Sequence, residues 1–283
     1  MITQFSGAIL RAFMAAMLLA FPSLVLPSVA SDTSQMVVIF ALLAALLVFF
    51  EYQGRCPSII EFRFAPPYNR LKFGFVAVTI VMMSVVTRHL DDPGNWSMLL
   101  MRVGQSIGQT LDFPYSPVRL VLYLLPAQAD PQTTELLRIY AGVCYGMSLL
   151  MIVCFAALVR LWGWPVRRGA FNVWLNLPLF DPTGGGDVVE KLNREASVNI
   201  SLGFLMPFLL PAVVLFASKV FDQFGMIGPQ TLIWVTCAWA FVPASMIMRG
   251  IAVNRIAELI TAKRRRAYAR AADADARDGL QTV

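Results

Sequence analysis

Six long stretches of the chain contain no Lys, Arg, Asp, Glu or His, and this gap in the charge limits the fold more than any other feature. These stretches are residues 12–30, 33–50, 73–87, 139–159, 200–218 and 228–248. A bilayer core about 30 Å thick is crossed by roughly 20 apolar residues of helix, so most of the stretches are long enough to span. With flanking residues added to the short third stretch, we predict spans at about 12–30, 33–50, 71–90, 139–160, 200–219 and 228–249.

The composition also indicates a helical membrane protein. Of the 283 residues, 58% are hydrophobic and 14% are charged, whereas about 25% of an ordinary soluble domain is charged. A β-barrel is excluded because its strands alternate apolar and polar residues, while residues 40–50 are apolar on every face. We predict an all-α integral membrane protein with a single six-span domain at 1–262 and a basic, then mixed-charge, cytoplasmic tail at 263–283.

The positions of the basic residues predict the orientation. If the N-terminus is cytoplasmic, the segments on the inner side carry 18 of the 23 Lys and Arg residues. Cytoplasmic loops carry an excess of these residues, so both termini are expected inside. Topology thus accounts for the net charge of +6, and no nucleic-acid partner is predicted. An apolar N-terminus without an Arg-rich and Ser-rich transit segment favours a bacterial inner membrane.

The first stretch has a second interpretation as a signal peptide. Ser28, Val29 and Ala30 resemble a small-x-small cleavage site. Because the apolar run is about 19 residues long, we favour a retained helix over the short apolar region of a signal peptide. Cleavage would leave a five-span mature form, with the C-terminus still inside.

The segment 88–138 is predicted to lie outside and to contain helix without spanning. Residues 96–111 have apolar side chains at helical spacing, and Pro114 and Pro117 then break the pattern. Neither piece is long enough to span. We predict an amphipathic helix in the outer interface followed by a second interfacial or re-entrant piece. A plain loop that contains a helix is the alternative.

Two segments on the inner side also carry structural signals. Alternating apolar and charged residues at 60–64 predict a short extended piece or an interfacial segment. The cytoplasmic loop 164–199 is predicted to contain an interfacial amphipathic helix. Trp162, Trp164 and Trp174 are expected to anchor it at the membrane surface. Asp187 and Glu190 have the spacing of a capping box for the helix that follows.

Glycines and prolines mark predicted helix contacts and kinks. Gly142 and Gly146 lie four apart on the fourth span, and Gly104 and Gly108 repeat that spacing on the interfacial helix. Such pairs let two helices approach closely, either within the chain or between subunits. Kinks are predicted at three prolines of the last two spans, Pro207, Pro211 and Pro243. Interrupted helices also build substrate sites in transporters, but most polar groups here lie near the span ends.

One cluster combines a potential base with carboxylates. Arg88, His89, Asp91 and Asp92 follow the third span, where His could act as an acid or a base. The alternative is a solvated helix end. With one His and four separated cysteines, Cys56, Cys144, Cys154 and Cys237, no metal site and no cofactor are predicted. The cysteines are interpreted as small apolar packing residues.

The absence of charge within the spans favours a non-catalytic membrane subunit or an assembly factor. Its expected partners are membrane lipids and other membrane protein subunits, with a homo-oligomer left open. Four basic residues after the last span are expected to contact lipid headgroups or a partner, namely Lys263, Arg264, Arg265 and Arg266. The alternatives are a transporter or channel for an apolar or neutral solute, lined by the fifth and sixth spans, and a lipid-acting enzyme at the outer face.

Overall fold

The part of the chain that the structure describes is mostly helical. The computed structural model describes residues 2–26, 31–55, 57–126, 128–165, 173–180, 185–220 and 228–281. These residues form nine helices and no strand: α1 (Ile2–Val25), α2 (Ser31–Gln53), α3 (Tyr68–Arg88), α4 (Asn95–Leu111), α5 (Pro117–Leu122), α6 (Pro131–Leu161), α7 (Val173–Asn176), α8 (Val188–Val220) and α9 (Pro229–Gln281).

Six of these helices, α1, α2, α3, α6, α8 and α9, are long and apolar enough to cross a membrane. The predicted all-α membrane class with six spans is therefore confirmed, and the protein is a multi-pass membrane protein. The interpretation of residues 28–30 as a cleavage site lies outside the described residues.

Several helices extend beyond the apolar runs from which they were predicted. Asp130 caps α6, because its carboxylate accepts hydrogen bonds from the backbone N–H groups of Gln132 at 3.1 Å and Thr133 at 3.3 Å. α9 has 53 residues, which at 1.5 Å per residue is about 80 Å, far more than a membrane requires. The helix is continuous across 262 and 263, so the basic tail begins as a direct extension of the last span.

The bundle has two distinct ends. At one end, the Gln4 amide donates to the carbonyl of Gln53 at 3.4 Å, and Arg249 contacts Glu61 and Glu195. We call this end the basic face; its described residues are 51–55, 57–68, 161–165, 173–180, 185–188 and 249–281. At the other end, which we call the opposite face, α4 and α5 lie between α3 and α6 in the chain.

The core lies where α3, α6 and α9 meet. Ile80, Tyr140, Phe155 and Met248 are among its fully buried side chains. The hairpin of α1 and α2 lies at the edge, because α2 packs mainly on α1 and α1 packs in turn on α3. The apolar surface of α2 is therefore covered by protein mainly on the side that faces α1.

Two local predictions were wrong. Of the two alternatives for residues 60–64, the extended piece was wrong: residues 61–64 form a turn, in which Phe62 adopts a left-handed φ of 55° and is buried in the core. Trp164 is not a surface anchor, since it is only 5% exposed and its indole N–H donates to the carbonyl of Ala65 at 3.1 Å. Trp162 is 61% exposed, as an interfacial residue should be.

The predicted helix in segment 88–138 is present as α4, and the piece after the prolines is α5. Ser116 caps α5, since its hydroxyl accepts a hydrogen bond from the N–H of Arg119 at 3.0 Å. In the 164–199 segment, the described residues form α7 and the first turns of α8. Residues 166–172 and 181–184 lie outside the described part of the chain.

Candidate functional site

A partly buried ion cluster lies on the basic face. Arg249 of α9 binds Glu61 with two nitrogens, at 2.6 and 2.8 Å, and contacts Glu195 of α8 at 2.5 Å. Only 18% of the Arg249 side chain and 10% of the Glu61 side chain are exposed. A two-pronged Arg–carboxylate contact fixes orientation as well as charge. The cluster therefore fastens the loop before α3 to α8 and α9.

This cluster lies at the end of the last span, and the sequence predicts that charged residues lie at span ends or in loops. Arg249 follows Pro229 by 20 residues, which is about 30 Å of helix and thus one full crossing. The sequence placed Arg249 at the end of the last predicted span, 228–249, and did not indicate that it would pair with partly buried carboxylates. Glu61 and Arg249 are 188 residues apart, so local sequence carries no signal for their contact.

The carboxylate of Glu51 also stabilises this loop, which connects α2 to α3. Glu51, at the end of α2, is 7% exposed and accepts hydrogen bonds from the backbone N–H groups of Ser58, Ile59 and Ile60 at 3.1 to 3.2 Å. Three converging N–H groups satisfy an anion that burial would otherwise destabilise. These hydrogen bonds hold the backbone of residues 58–60, so the Glu51 carboxylate has a structural role in the loop.

Aromatic packing completes this end of the bundle. The ring of Phe62 lies 4.5 Å from that of Tyr68 and 5.6 Å from that of Trp164, measured between centroids. Phe155 of α6 contacts Trp164 edge-on at 5.1 Å. Such pairs contribute about 0.5–1.5 kcal/mol each beyond the area that they bury. These rings therefore join the loop before α3, α3 itself, α6 and the residues just after α6 in one aromatic cluster.

The four glycines singled out from the sequence lie at the contact between α4 and α6. A methyl group added to Gly142 would lie 2.5 Å from the Cα of Gly108, and one added to Gly108 would lie 2.9 Å from the carbonyl oxygen of Arg138. Gly104 faces Ile139, and Gly146 faces Ile107 and Leu111. The described structure uses both pairs for packing within one chain.

Two further glycines, which the sequence analysis missed, perform the same role between α8 and α9. A methyl group on Gly203 would lie 2.6 Å from the carbonyl oxygen of Pro243, and one on Gly250 would lie 2.8 Å from the carbonyl oxygen of Ala196. Neither glycine has a second glycine four residues away. Their position within or beside an apolar span was the only available signal.

The three prolines lie within α8 and α9. A proline has no N–H group, so Pro211 cannot donate to the carbonyl of Pro207 one turn earlier. The indole N–H of Trp239 on α9 donates to that carbonyl instead, at 3.1 Å. Pro243 lies against Gly203 of α8. The prolines therefore belong to the packed contact between the last two spans.

The polar residues that follow α3 on the opposite face form two separate local contacts. Arg88 pairs with Asp92 at 3.2 Å, with both side chains more than half exposed. His89 Nδ1 lies 2.7 Å from the hydroxyl of Ser97, which also bonds to the backbone of Gly94 at the start of α4. In the portion of the chain that the structure describes, no three His, Cys, Asp or Glu side chains form a group that could hold a metal ion.

The basic residues after the last span are exposed along α9. Arg264 contacts Asp187 at 2.8 Å, and Asp187 caps α8 by accepting the N–H of Val189 at 3.2 Å. The bond from Arg264, together with that N–H group, holds the pKa of the Asp187 carboxyl below its ordinary value. Arg265 and Arg266 line an open groove of about 610 Å³ between α8 and α9.

Two of the cysteines come together in the core. The sulfur of Cys144 on α6 lies 3.7 Å from the sulfur of Cys237 on α9 and 3.2 Å from the thioether sulfur of Met83 on α3. Cys154 is half-buried elsewhere on α6, and Cys56 lies outside the described residues. The interpretation as separate packing residues missed this trio because its two thiols are 93 residues apart.

In comparisons with known proteins, no family model, curated protein or solved structure matches the chain.

Proposed function

We propose that the protein is a non-catalytic subunit, or an assembly or scaffold factor, of a larger membrane protein complex in a bacterial inner membrane. Both termini are placed in the cytoplasm on the distribution of basic residues. The proposed partners are other membrane protein subunits, which bind the apolar faces of the helices, and membrane lipids. A second copy of the chain would be one form of such a partner.

The observation that carries this proposal is the position of α2. Phe40, Leu43 and Leu47 lie on one side of α2, as residues three and four apart do, and each is roughly half exposed or more. α2 packs mainly on α1, at the edge of the bundle. A helix held mainly on one side offers the rest of its length to another transmembrane helix, which would bind by packing.

The packed centre favours this proposal over a transporter or channel. Where α3, α6 and α9 meet, the side chains of Ile80, Met83, Val143 and Met151 are almost completely buried. Solute paths through a bilayer are usually lined by polar or ionisable groups. The prolines that suggested a path are occupied in the contact between α8 and α9.

Local contacts also weaken the case for a lipid-acting enzyme at the outer face. His89 is engaged by Ser97, and Ser97 is in turn engaged by the backbone at the start of α4. A nucleophile requires a base that can take its proton and a group that orients that base. Of the two carboxylates that follow His89, Asp92 pairs with Arg88.

The basic extension of α9 supports binding to anionic lipid or to an acidic partner. Lys263, Arg265 and Arg266 are exposed, and each basic residue near an anionic surface contributes about 1 kcal/mol. Because Arg264 already binds Asp187, its neighbours are better placed to contact headgroups.

Mild extraction from the native membrane tests the proposal. The full chain is solubilised into lipid nanodiscs and its mass is measured with and without the triple substitution Phe40→Ala, Leu43→Ala and Leu47→Ala. We expect a particle heavier than one chain, and at least about tenfold weaker association in the triple variant, which corresponds to about 1.4 kcal/mol.

The matched control for this experiment is Val153→Ala. Val153 is 62% exposed, but it lies on α6, which packs against α3, α4, α5 and α9. This control should leave the association unchanged. A lone chain in the wild-type sample, or equal loss in control and triple variant, would contradict the proposal.

A further inference from the structure

We propose that Cys144, Cys237 and Met83 form a binding site for a soft monovalent metal ion, Cu(I), in the core of the bundle. The site joins three helices, because Met83 lies on α3, Cys144 on α6 and Cys237 on α9. It is independent of the proposed function, since it rests on the sulfur geometry alone.

The distances suit a shared ion. Metal–thiolate bonds of about 2.3 Å place two sulfurs bound to one ion roughly 3.7–4.0 Å apart. The sulfurs of Cys144 and Cys237 are already 3.7 Å apart, and the sulfur of Met83 lies 3.2 Å from that of Cys144. The two cysteines therefore need little movement, whereas the Met83 sulfur must move about 0.5–0.8 Å away from that of Cys144 to share the ion.

The chemistry of the donors selects the ion. Two thiols and a thioether form a soft set, and such ligands favour Cu(I), whereas carboxylates and carbonyls favour Mg²⁺ or Ca²⁺. Zinc usually takes four nitrogen, sulfur or oxygen ligands in a tetrahedron, while this trio offers three sulfurs. All three side chains are buried, with Met83 1%, Cys144 0% and Cys237 4% exposed. Cu(I) held there would be shielded from water.

Polar groups lead toward the site from the opposite face. The hydroxyls of Thr87 and Tyr140 contact each other, and each lies four residues, or one turn, from Met83 and Cys144 respectively. Since α3 ends and α6 begins at the opposite face, this hydroxyl pair lies between that face and the sulfurs. Thr236, next to Cys237 in the chain, donates its hydroxyl to the backbone carbonyls of Leu232 and Ile233 at 2.7 and 3.1 Å.

Binding is balanced by the loss of protons. A thiol that ligates a metal does so as thiolate, so coordination releases up to two protons, one from each cysteine, and changes no oxidation state. Met83 binds through a sulfur lone pair and releases none. Cu(I) must therefore be supplied already reduced.

The test is an anaerobic titration of the reduced full chain in nanodiscs with Cu(I) held by a coloured chelator. A Cys56→Ser and Cys154→Ser background leaves the core pair as its only cysteines. In that background we expect withdrawal of one Cu(I) per chain. Adding Cys144→Ser and Cys237→Ser should abolish the withdrawal, and Met83→Leu should weaken it by about tenfold or more. Cys154→Ser alone is the matched control and should bind as the wild type does.

X-ray absorption of the copper-loaded wild type gives a second measurement that needs no variant. Three sulfur neighbours at about 2.3 Å are expected. Nitrogen or oxygen neighbours would overturn the site. So would equal copper withdrawal by the core double variant, or a reduced core pair that binds no copper and only forms a disulfide in air.

Discussion

The contact between Trp239 and Pro207 offers the sharpest test of how the last two spans are held together. The carbonyl of Pro207 lacks its helical donor because residue 211 is proline, and the indole of Trp239 supplies a donor at 3.1 Å. Trp239→Phe keeps an aromatic ring and removes that donor. A buried acceptor left without a partner costs about 1–3 kcal/mol, so we expect a loss of stability in that range, plus the effect of the smaller ring.

A double-mutant cycle with Pro211→Ala isolates the hydrogen bond from the effect of ring size. Alanine at 211 restores a backbone N–H that can reach the carbonyl of Pro207. Trp239→Phe should therefore be less damaging in the Pro211→Ala background, with a coupling of about 1 kcal/mol. The assay is the unfolding free energy of the full chain in detergent or nanodiscs. Additive effects of the two substitutions would refute the reasoning.

Three further predictions follow from contacts of the described residues. Gly142→Ala would place a methyl group 2.5 Å from the Cα of Gly108, so this variant should lower the stability of the fold by about 1–3 kcal/mol. The control is Gly74→Ala, whose methyl group would have nothing within 4 Å and which should be neutral or stabilise the fold by up to about 1 kcal/mol. Equal thermal stabilities of the two variants would contradict this expectation. Arg249→Ala leaves the carboxylates of Glu61 and Glu195 without their partner and should lower the unfolding free energy by about 3–5 kcal/mol. Arg255→Ala breaks the more exposed pair with Glu258 and should lower it by less than about 1 kcal/mol. Comparable unfolding free energies of the two variants would refute this difference. Asp187 has a lowered pKa in the folded chain, so its contribution to the stability of the fold is present above its unfolded pKa of about 3.9 and is lost as the pH falls through the folded pKa. Asp187→Asn should therefore lose less melting temperature on acidification than the wild type does. An identical loss in the two proteins would contradict this assignment.

The spans were predictable because hydropathy is a local property. A helix in a bilayer closes its own backbone hydrogen bonds, so an apolar run of sufficient length fixes both the element and its place. The same locality explains the errors at residues 60–64 and at Trp164. The alternating side chains of residues 60–64 indicate a strand, and a tryptophan beside a span indicates a position at the membrane surface. In the folded chain, Phe62 and Trp164 pack together in a buried aromatic cluster instead.

The contacts between helices were much less predictable. Spacing identified Gly108 and Gly142 as sites of close approach without indicating that they face each other. The Arg249–Glu61 pair and the Cys144–Cys237 pair join residues 188 and 93 positions apart. Such partners depend on how the spans are arranged around the core, and one sequence carries no direct signal for that arrangement.

Site-specific photo-cross-linking in intact membranes tests the central claim most directly, namely that the free side of α2 binds another protein. A photoreactive residue is placed at Phe40, which is 61% exposed, and the buried position Ile80 serves as the control for reaction within the chain. The account predicts a cross-link from position 40 to a second polypeptide, either another subunit or another copy of this chain. Adducts with lipid alone at position 40 would contradict it.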